Sequence, residues 1–360
     1  MTNQVAISVI IPCFNAEKFI KNCLNDLRNQ NFEKNIEIIT VDDASEDKTV
    51  EIIKSFDLKN LRLFTLRKNS GPAAARNLGL QKAVGKYVFF LDVDDKISPE
   101  ILKCLYYPTI EKDLDMVFCD KQLIERSRNQ RENIFYYSAD RLFEKNQITN
   151  ELLERFTNPF SYSGIFLHYG KLIKRSLLIE NNIFFIEELR YLEDEVFGWD
   201  SLAFVKNVAY IRKQLYLYYI YPKTNTARSE ALNKGFPISN FFLIKDHIKK
   251  SLTKRNLEAT SSENFSNHAF AYFIINSLVS YSMSIFLEKI DSRLGEKNFK
   301  NYVKELINNK DIINAFKNYK PSKNESRWIP KAILTKSIFL IKLACNMRCK
   351  EILKENRRKI

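Results

Sequence analysis

Apolar and polar positions alternate with two different periods over the first 120 residues. Ala6–Ile11 is an apolar, β-branched run, which predicts a strand buried on both faces. Ala16–Asn29 follows with apolar side chains at 19, 20, 23, 24 and 27, the stripe of an amphipathic helix. Strand signals return at Ile36–Val41, Leu61–Leu66, Tyr87–Leu91 and Asp115–Cys119. Between them, Asp47 is placed to cap a helix reaching Phe56, and Pro72 to open one reaching about Val84, with Gly85 at its C′ position. Ser98-Pro99-Glu100 starts another helix by the same logic. Strands and helices alternating over short connections predict an α/β fold, with a mostly parallel sheet covered by helices on both faces. Beyond residue 120 the pattern is mixed. Glu151–Phe156 and Lys171–Ile179 read as helical, Val208–Ile220 as one or two strands, and 231–316 as helical without recognisable chemistry. There is no internal repeat.

In an open parallel sheet, ligands bind beyond the carboxyl ends of the strands. The residues that follow the strands here are Cys13-Phe14-Asn15, Asp42-Asp43, Arg67-Lys68-Asn69 and Asp92-Val93-Asp94-Asp95, so acidic and polar groups gather on one edge. Three carboxylates within four residues repel one another unless a cation sits among them, and hard oxygen ligands suit Mg²⁺ or Mn²⁺ with a nucleotide phosphate as co-ligand. The plain alternative is an acidic loop ahead of the helix near Pro99. Asp42-Asp43 offers acceptors to a base edge or a ribose; otherwise it is a turn that caps the next helix. Gly71 to Asn77 opens a helix on small residues, and its N-terminus with Arg76 suits an anion. Alternatively, Arg76 pairs structurally with Asp94 or Asp95. Glu193-Asp194-Glu195, set among Phe197 and Trp199, could hold a general base of tuned pKa or be a solvated helix start.

Charge and composition narrow the class. The net charge is +14 over 360 residues, but 317–360 carries 13 Lys/Arg against 3 Asp/Glu, leaving the rest nearly balanced. A basic tail seeks an anionic surface, either nucleic acid or lipid. The hydrophobic fraction of 45% excludes wholesale disorder. Six cysteines without a CxxC pair argue against a zinc ribbon or a disulfide framework and fit reduced thiols in a cytoplasm. No stretch reaches the roughly 18 uncharged apolar residues that would span a bilayer, and the N-terminus has no signal-peptide pattern. The expected location is therefore cytoplasmic, peripheral on the inner face of the membrane.

The ordered set Ser8 to Asn15, Val41 to Asp47, Gly71 to Asn77, Leu91 to Asp95 and Lys171 to Leu178, followed by Glu193-Asp194, resembles glycosyltransferase family two, the inverting transferases of GT-A fold. The likeness covers about residues 5–225, and its Lys171–Leu178 stretch looks like bacterial enzymes that build surface polysaccharides. The resemblance implies a UDP-sugar donor and a glycan or lipid-linked glycan acceptor. It places Pro12 and Asn15 at the donor site, Asp42 with Asp43 at the nucleobase, Arg76 near the nucleotide and Asp92 at the ribose side. Asp94, with Asp95, would hold the Mg²⁺ or Mn²⁺, and Asp194 would be the catalytic base. The chain departs from the family at His168-Tyr169-Gly170, on the acceptor side, and at the loop Tyr221–Ser229, where Arg228 is the one candidate for closing over the diphosphate. His168 is weighed as a metal ligand against a satisfied, partly buried histidine.

The expected organisation is a catalytic domain over 1–225, with a nucleotide-binding half 1–120 and an acceptor half 121–225. A helical extension over 226–316 and the basic tail over 317–360 follow. The tail, rich in Ile, Leu and Phe as well as Lys, is expected to lie on anionic membrane as an amphipathic helix, although Lys336 falls inside its apolar arc. A nucleotidyltransferase would need a glycine-rich loop after the first strand, and Pro12 to Ala16 has no glycine. A nucleic-acid-binding protein would leave the acidic clusters unexplained, so no nucleic-acid partner is expected.

Overall fold

The computed structural model describes residues 4–125, 130–157, 164–189, 192–220, 237–287, 292–321 and 325–358. Its strands are β1 (Ile7–Cys13), β2 (Ile36–Asp42), β3 (Leu61–Thr65), β4 (Tyr87–Phe90), β5 (Lys96–Ile97), β6 (Met116–Glu125), β7 (Gln130–Ile134), β8 (Arg141–Phe143), β9 (Lys171–Lys174) and β10 (Val208–Ile220). They form one sheet in the order β3-β2-β1-β4-β9-β6-β10-β5, with β7 paired to β6 and β8 to β10. β3, β2, β1 and β4 are mutually parallel. β9 then runs antiparallel between β4 and β6, and β10 is parallel to β6.

The helices interleaved with these strands are α1 (Ile20–Arg28), α2 (Thr49–Ser55), α3 (Pro72–Lys82), α4 (Ile101–Glu111), α5 (Lys145–Thr157), α6 (Arg175–Glu180) and α7 (Glu193–Phe204). β1 is central and, apart from Ser8, apolar where it is paired on both sides, because both its faces are covered: Ile7, Val9, Ile10 and Ile11 are buried, and the buried Ser8 hydroxyl donates to Glu37 at 2.6 Å. Pro12 is tolerated there because the pairing with β4 ends at Ile10 opposite Phe90, so its missing N–H falls past the shorter strand. The N-cap of α2 is Lys48 and not Asp47 as expected, although Asp47 Oδ1 still accepts from the Thr49 amide at 2.9 Å just ahead of the helix.

Two local readings need correction. Lys171–Ile179 is a strand followed by a helix, not one helix: the gap between β4 and β6 supplies pairing partners for Lys171–Lys174 on both sides. Gly85 is not a left-handed cap. Its role is steric, since a Cβ there would lie 2.6 Å from the Ser8 amide nitrogen.

The chain divides into two compact units, Met1–Asn150 with Ser163–Thr224, and Glu151–Tyr162 with Asn225–Ile360. The first holds the whole sheet. The second is helical, with α8 (Ile238–Lys254), α9 (Ala259–Phe286), α10 (Ser292–Asn308), α11 (Lys310–Lys317), α12 (Trp328–Leu334) and α13 (Ile338–Arg358). The basic tail is built into this unit: Ile329, Ile333, Ile341, Cys345 and Cys349 are buried, and Cys349 Sγ donates to the Val279 carbonyl of α9 at 3.7 Å. Lys336 adopts a left-handed φ of 57° and separates α12 from α13, so it lies outside the α13 wheel. Among the described residues, no helix is long and apolar enough to cross a membrane.

Candidate functional site

The carboxyl ends of β1, β2 and β4 and the N-terminus of α3 meet on one edge of the sheet. Gly71, at a φ of 93°, lets the chain turn sharply into α3, whose first residue is Pro72. Asp43 fixes that turn, accepting from the Ser70 and Gly71 amides at 2.7 Å each. Its neighbour Asp42 is buried, with Oδ2 receiving the Ser45 amide at 3.2 Å and Oδ1 left without a donor among the described residues. Asn15, at a left-handed φ of 47°, accepts from the Glu46 amide at 2.9 Å and so ties the end of β1 to the end of β2.

α3 is packed too closely for a side chain at Gly79, where a Cβ would lie 2.4 Å from Ile10 Cγ2. That packing brings Arg76 under the strand ends. Arg76 is buried and its Nη2 donates to Asp92 Oδ1 at 2.8 Å, while Nη1 stands 3.7 Å from Glu193 Oε1. Burial opposes its charge, but Asp92 and Glu193 hold it protonated. Its Nε and Nη1 have no hydrogen-bond acceptor among the described residues. Asp92 would be raised by burial, yet Arg76 and then His168 hold it well below the usual carboxylate range.

His168 extends the cluster. Its Nε2 lies 3.3 Å from Asp92 Oδ2, and its Nδ1 lies 4.0 Å from Asp194 Oδ2. Asp194 is in the first turn of α7, which follows Leu192 in left-handed conformation, and its Oδ1 accepts from the Glu195 amide at 2.8 Å. Burial and the Glu193 charge push the Asp194 carboxyl up to about 6. Positions 76, 92 and 194, far apart in the chain, thus share one cluster.

Asp94 and Asp95 diverge. Asp95 is buried and turned toward β10: Tyr216 Oη donates to Oδ2 at 2.7 Å and the Tyr219 amide to Oδ1 at 2.9 Å. Both of its oxygens are therefore engaged within the protein. Asp94 is raised to about 6 by burial and by Asp92. Asp94 lines a cavity of about 310 Å³ with Lys18, Phe19, Asn22 and Lys96, and Asp95 also borders it. Among the described residues there is no group of three His, Cys, Asp or Glu side chains arranged to hold a metal. Asp94 is the carboxylate of this loop that could join phosphate oxygens and water around a hard divalent cation. Arg228 and the rest of Tyr221–Ser229 lie outside the described residues.

The sequence reading missed the support beneath these groups. Phe185 and Phe197 stack with centroids 4.0 Å apart and planes 4° off parallel, and Arg76 lies 5.2 Å over the Phe185 ring. Asn77 locks Phe185 from both sides, its Nδ2 donating to the Phe185 carbonyl at 2.9 Å and its Oδ1 accepting the amide at 2.8 Å. Lys171 is buried, with Nζ donating to the Ile165 carbonyl at 2.6 Å, and burial lowers it to about 7 against the pull of Asp194. Polar residues embedded in apolar runs, as Lys171 and Asn77 are, were the available signal.

A family profile described as "Glycosyl transferase family 2" matches residues 8–175. The chain is 30% identical over 217 residues to the glycosyltransferase GlyG of Streptococcus pneumoniae, covering 59% of this chain and 70% of that one. It is 29% identical to the uncharacterized glycosyltransferase EpsJ of Bacillus subtilis and 30% identical to the poly(ribitol-phosphate) beta-N-acetylglucosaminyltransferase TarS of Staphylococcus aureus. The matches span 62% of EpsJ and 35% of TarS, less than two thirds of either. In fold, the chain is similar to the crystal structure of TarS residues 1–349 in complex with UDP-GlcNAc. The TM-score is 0.70 at 22% identity, over 95% of this chain and 91% of that one. The α/β architecture with a helical C-terminal region is thus that of the GT-A fold.

Proposed function

Because the chain belongs to glycosyltransferase family 2, we propose that it is an inverting enzyme moving a hexose or N-acetylhexosamine from a UDP-sugar to a hydroxyl of a surface-glycan acceptor. The observation that carries this reading is the convergence of Arg76, Asp92 and Asp194 through His168 beside the acidic loop. The unsatisfied Asp42 Oδ1 suits the N–H of a uracil edge, and the unsatisfied Arg76 N–H groups suit an anionic donor. Pro12, Asn15 and Asp43 set the shape of that floor, and Asp92 stands at the ribose side. A relative of the same fold binds UDP-GlcNAc and UDP, which supports a uridine donor here.

Asp194 takes the proton from the acceptor hydroxyl as the oxygen attacks the anomeric carbon on the face opposite the departing UDP. One displacement inverts configuration, so an α-linked donor gives a β-linked product. A Mg²⁺ or Mn²⁺ on Asp94 would neutralise charge on the leaving diphosphate. Asp95, bound to Tyr216 and Tyr219, would keep the Asp94 loop in place.

The helical unit offers a contact for anionic membrane. Phe339, Leu343 and Met347 are four residues apart on the outward face of α13, exposed at 73%, 47% and 44%, and Trp328 and Leu334 of α12 are exposed as well. Lys336, Lys350 and Lys354 are exposed beside them. Apolar side chains flanked by lysines suit the interface of an anionic bilayer, the inner face of the cell membrane under this reading.

The test is UDP release over a panel of nucleotide sugars, with Mn²⁺, with Mg²⁺ and with EDTA, for the wild type and Asp194→Asn. One UDP-sugar is expected to be turned over, EDTA to stop turnover, and the variant to lose about 10²–10⁴-fold in rate. Full activity of Asp194→Asn would remove the base, and activity in EDTA would remove the metal.

A further inference from the structure

We propose that His168 is a positioning residue for the base: its Nδ1 accepts a hydrogen bond from Asp194 once that carboxyl is protonated, while its Nε2–H holds Asp92. The inference rests on the reading of Asp194 as the base.

The geometry decides which nitrogen carries the proton. Asp92 is ion-paired with Arg76 at 2.8 Å, so its oxygens only accept, and the His168 nitrogen beside them must donate. A neutral imidazole has one N–H, so Nδ1 presents a bare lone pair. That nitrogen is buried and has no partner among the described residues, in a side chain only 4% exposed. The nearest acid is Asp194 Oδ2, 4.0 Å away. A second proton on the ring is disfavoured by burial and by Arg76, against the opposite pull of Asp92 and Asp194. The rings of Phe90, Tyr169 and Phe185 stand edge-on around the imidazole at 6.4, 5.3 and 5.9 Å, which fixes its orientation.

Before reaction, Asp194 is ionised and two acceptors face each other with no proton between them. When the acceptor O–H bond breaks and an Asp194 O–H bond forms, the new hydrogen has a ready acceptor in Nδ1. The proton stays on Asp194 and leaves to solvent after product release. Catalytic hydrogen bonds are often long in ligand-free sites and tighten during reaction. An interaction made only as the proton arrives raises kcat without tightening donor binding. The other half of the ring acts on Asp92, and so on the donor.

The two halves are separable in the full-length enzyme by UDP-release kinetics. His168→Gln places an amide N–H where Nε2 was and removes the acceptor; kcat is expected to fall about tenfold with donor KM unchanged. His168→Asn keeps an acceptor near Nδ1 and loses the reach to Asp92; donor KM is expected to rise while kcat falls less. His168→Phe should show both losses, and if it does not fold, the first two variants still decide. A wild-type kcat in His168→Gln, or equal losses in kcat and KM for the Gln and Asn variants, overturns the proposal. Asp194→Asn is measured alongside. If it is inactive while His168→Gln is normal, only His168 is misassigned; if it is active, the base assignment fails first.

Discussion

Two carboxylates of the same cluster are driven in opposite directions by their neighbours. Asp92 is held ionised by Arg76, while Asp194, buried beside Glu193, is raised to about 6. A base with that pKa is ionised at neutral pH yet still basic enough to accept a proton. The rate is therefore expected to rise with pH through about 6 and then level; a pH profile of kcat/KM checks this, and an acid limb near 4 would contradict it. The same shift has a stability sign. A carboxyl whose folded pKa is raised is favourable below its unfolded pKa, and that advantage is lost as pH rises through the folded value. Asp194→Asn is expected to unfold at higher temperature than the wild type at pH 7.5 but not at pH 4. The gain at pH 7.5, discounted because the side chain is 28% exposed, should be about 1–2 kcal/mol in a thermal melt.

At the scale of elements, Asp194, the proposed base, is positioned by the packing of a helix against a turn. Gly198 of α7 lies so close to the turn Gly164–Phe166 that a Cβ would fall 1.9 Å from the Phe166 carbonyl oxygen. That contact is backbone and has no soft side chain to yield. Gly198→Ala should destabilise by about 1–3 kcal/mol and displace Asp194; turnover should fall more than donor binding, by UDP-release kinetics and UDP titration. Asn77 works likewise for the stretch before α7. Asn77→Ala orphans the amide and carbonyl of Phe185, which is expected to cost about 1–3 kcal/mol in a denaturant titration and to weaken the cation–π contact of Arg76.

For the whole molecule, the decisive quantity is where the surplus positive charge and the exposed apolar area fall together. The tail carries most of the surplus, yet one face of α13 is core: Ile341, Ala344, Cys345 and Cys349 are buried. The other face has no need of Phe339, Leu343 and Met347 for folding. Replacing these three by Ser is expected to leave the melting temperature within a degree or two while abolishing co-sedimentation with anionic vesicles. Wild-type binding should weaken with salt and be poor on neutral vesicles. A triple variant that still sediments with anionic vesicles would remove this surface from membrane contact.

The alternation of apolar runs and helical stripes was enough to give the parallel strands β1 to β4 and the helices between them, because their periods are local properties of the chain. The acidic and polar groups at the strand ends followed from the same reading, since the sheet rule assigns ligands to that edge. What local pattern left undecided was whatever depended on distant partners. Lys171–Lys174 is a strand only because β4 and β6 leave a slot for it. Asp94 and Asp95 look equivalent in sequence, and only Tyr216 and Tyr219, more than a hundred residues away, separate them. His168 was an isolated histidine until the fold set Asp92 on one of its nitrogens and Asp194 beside the other. Periodicity fixes which face of an element is buried, but which side chains meet across elements is set by packing and burial, and those belong to the folded chain alone.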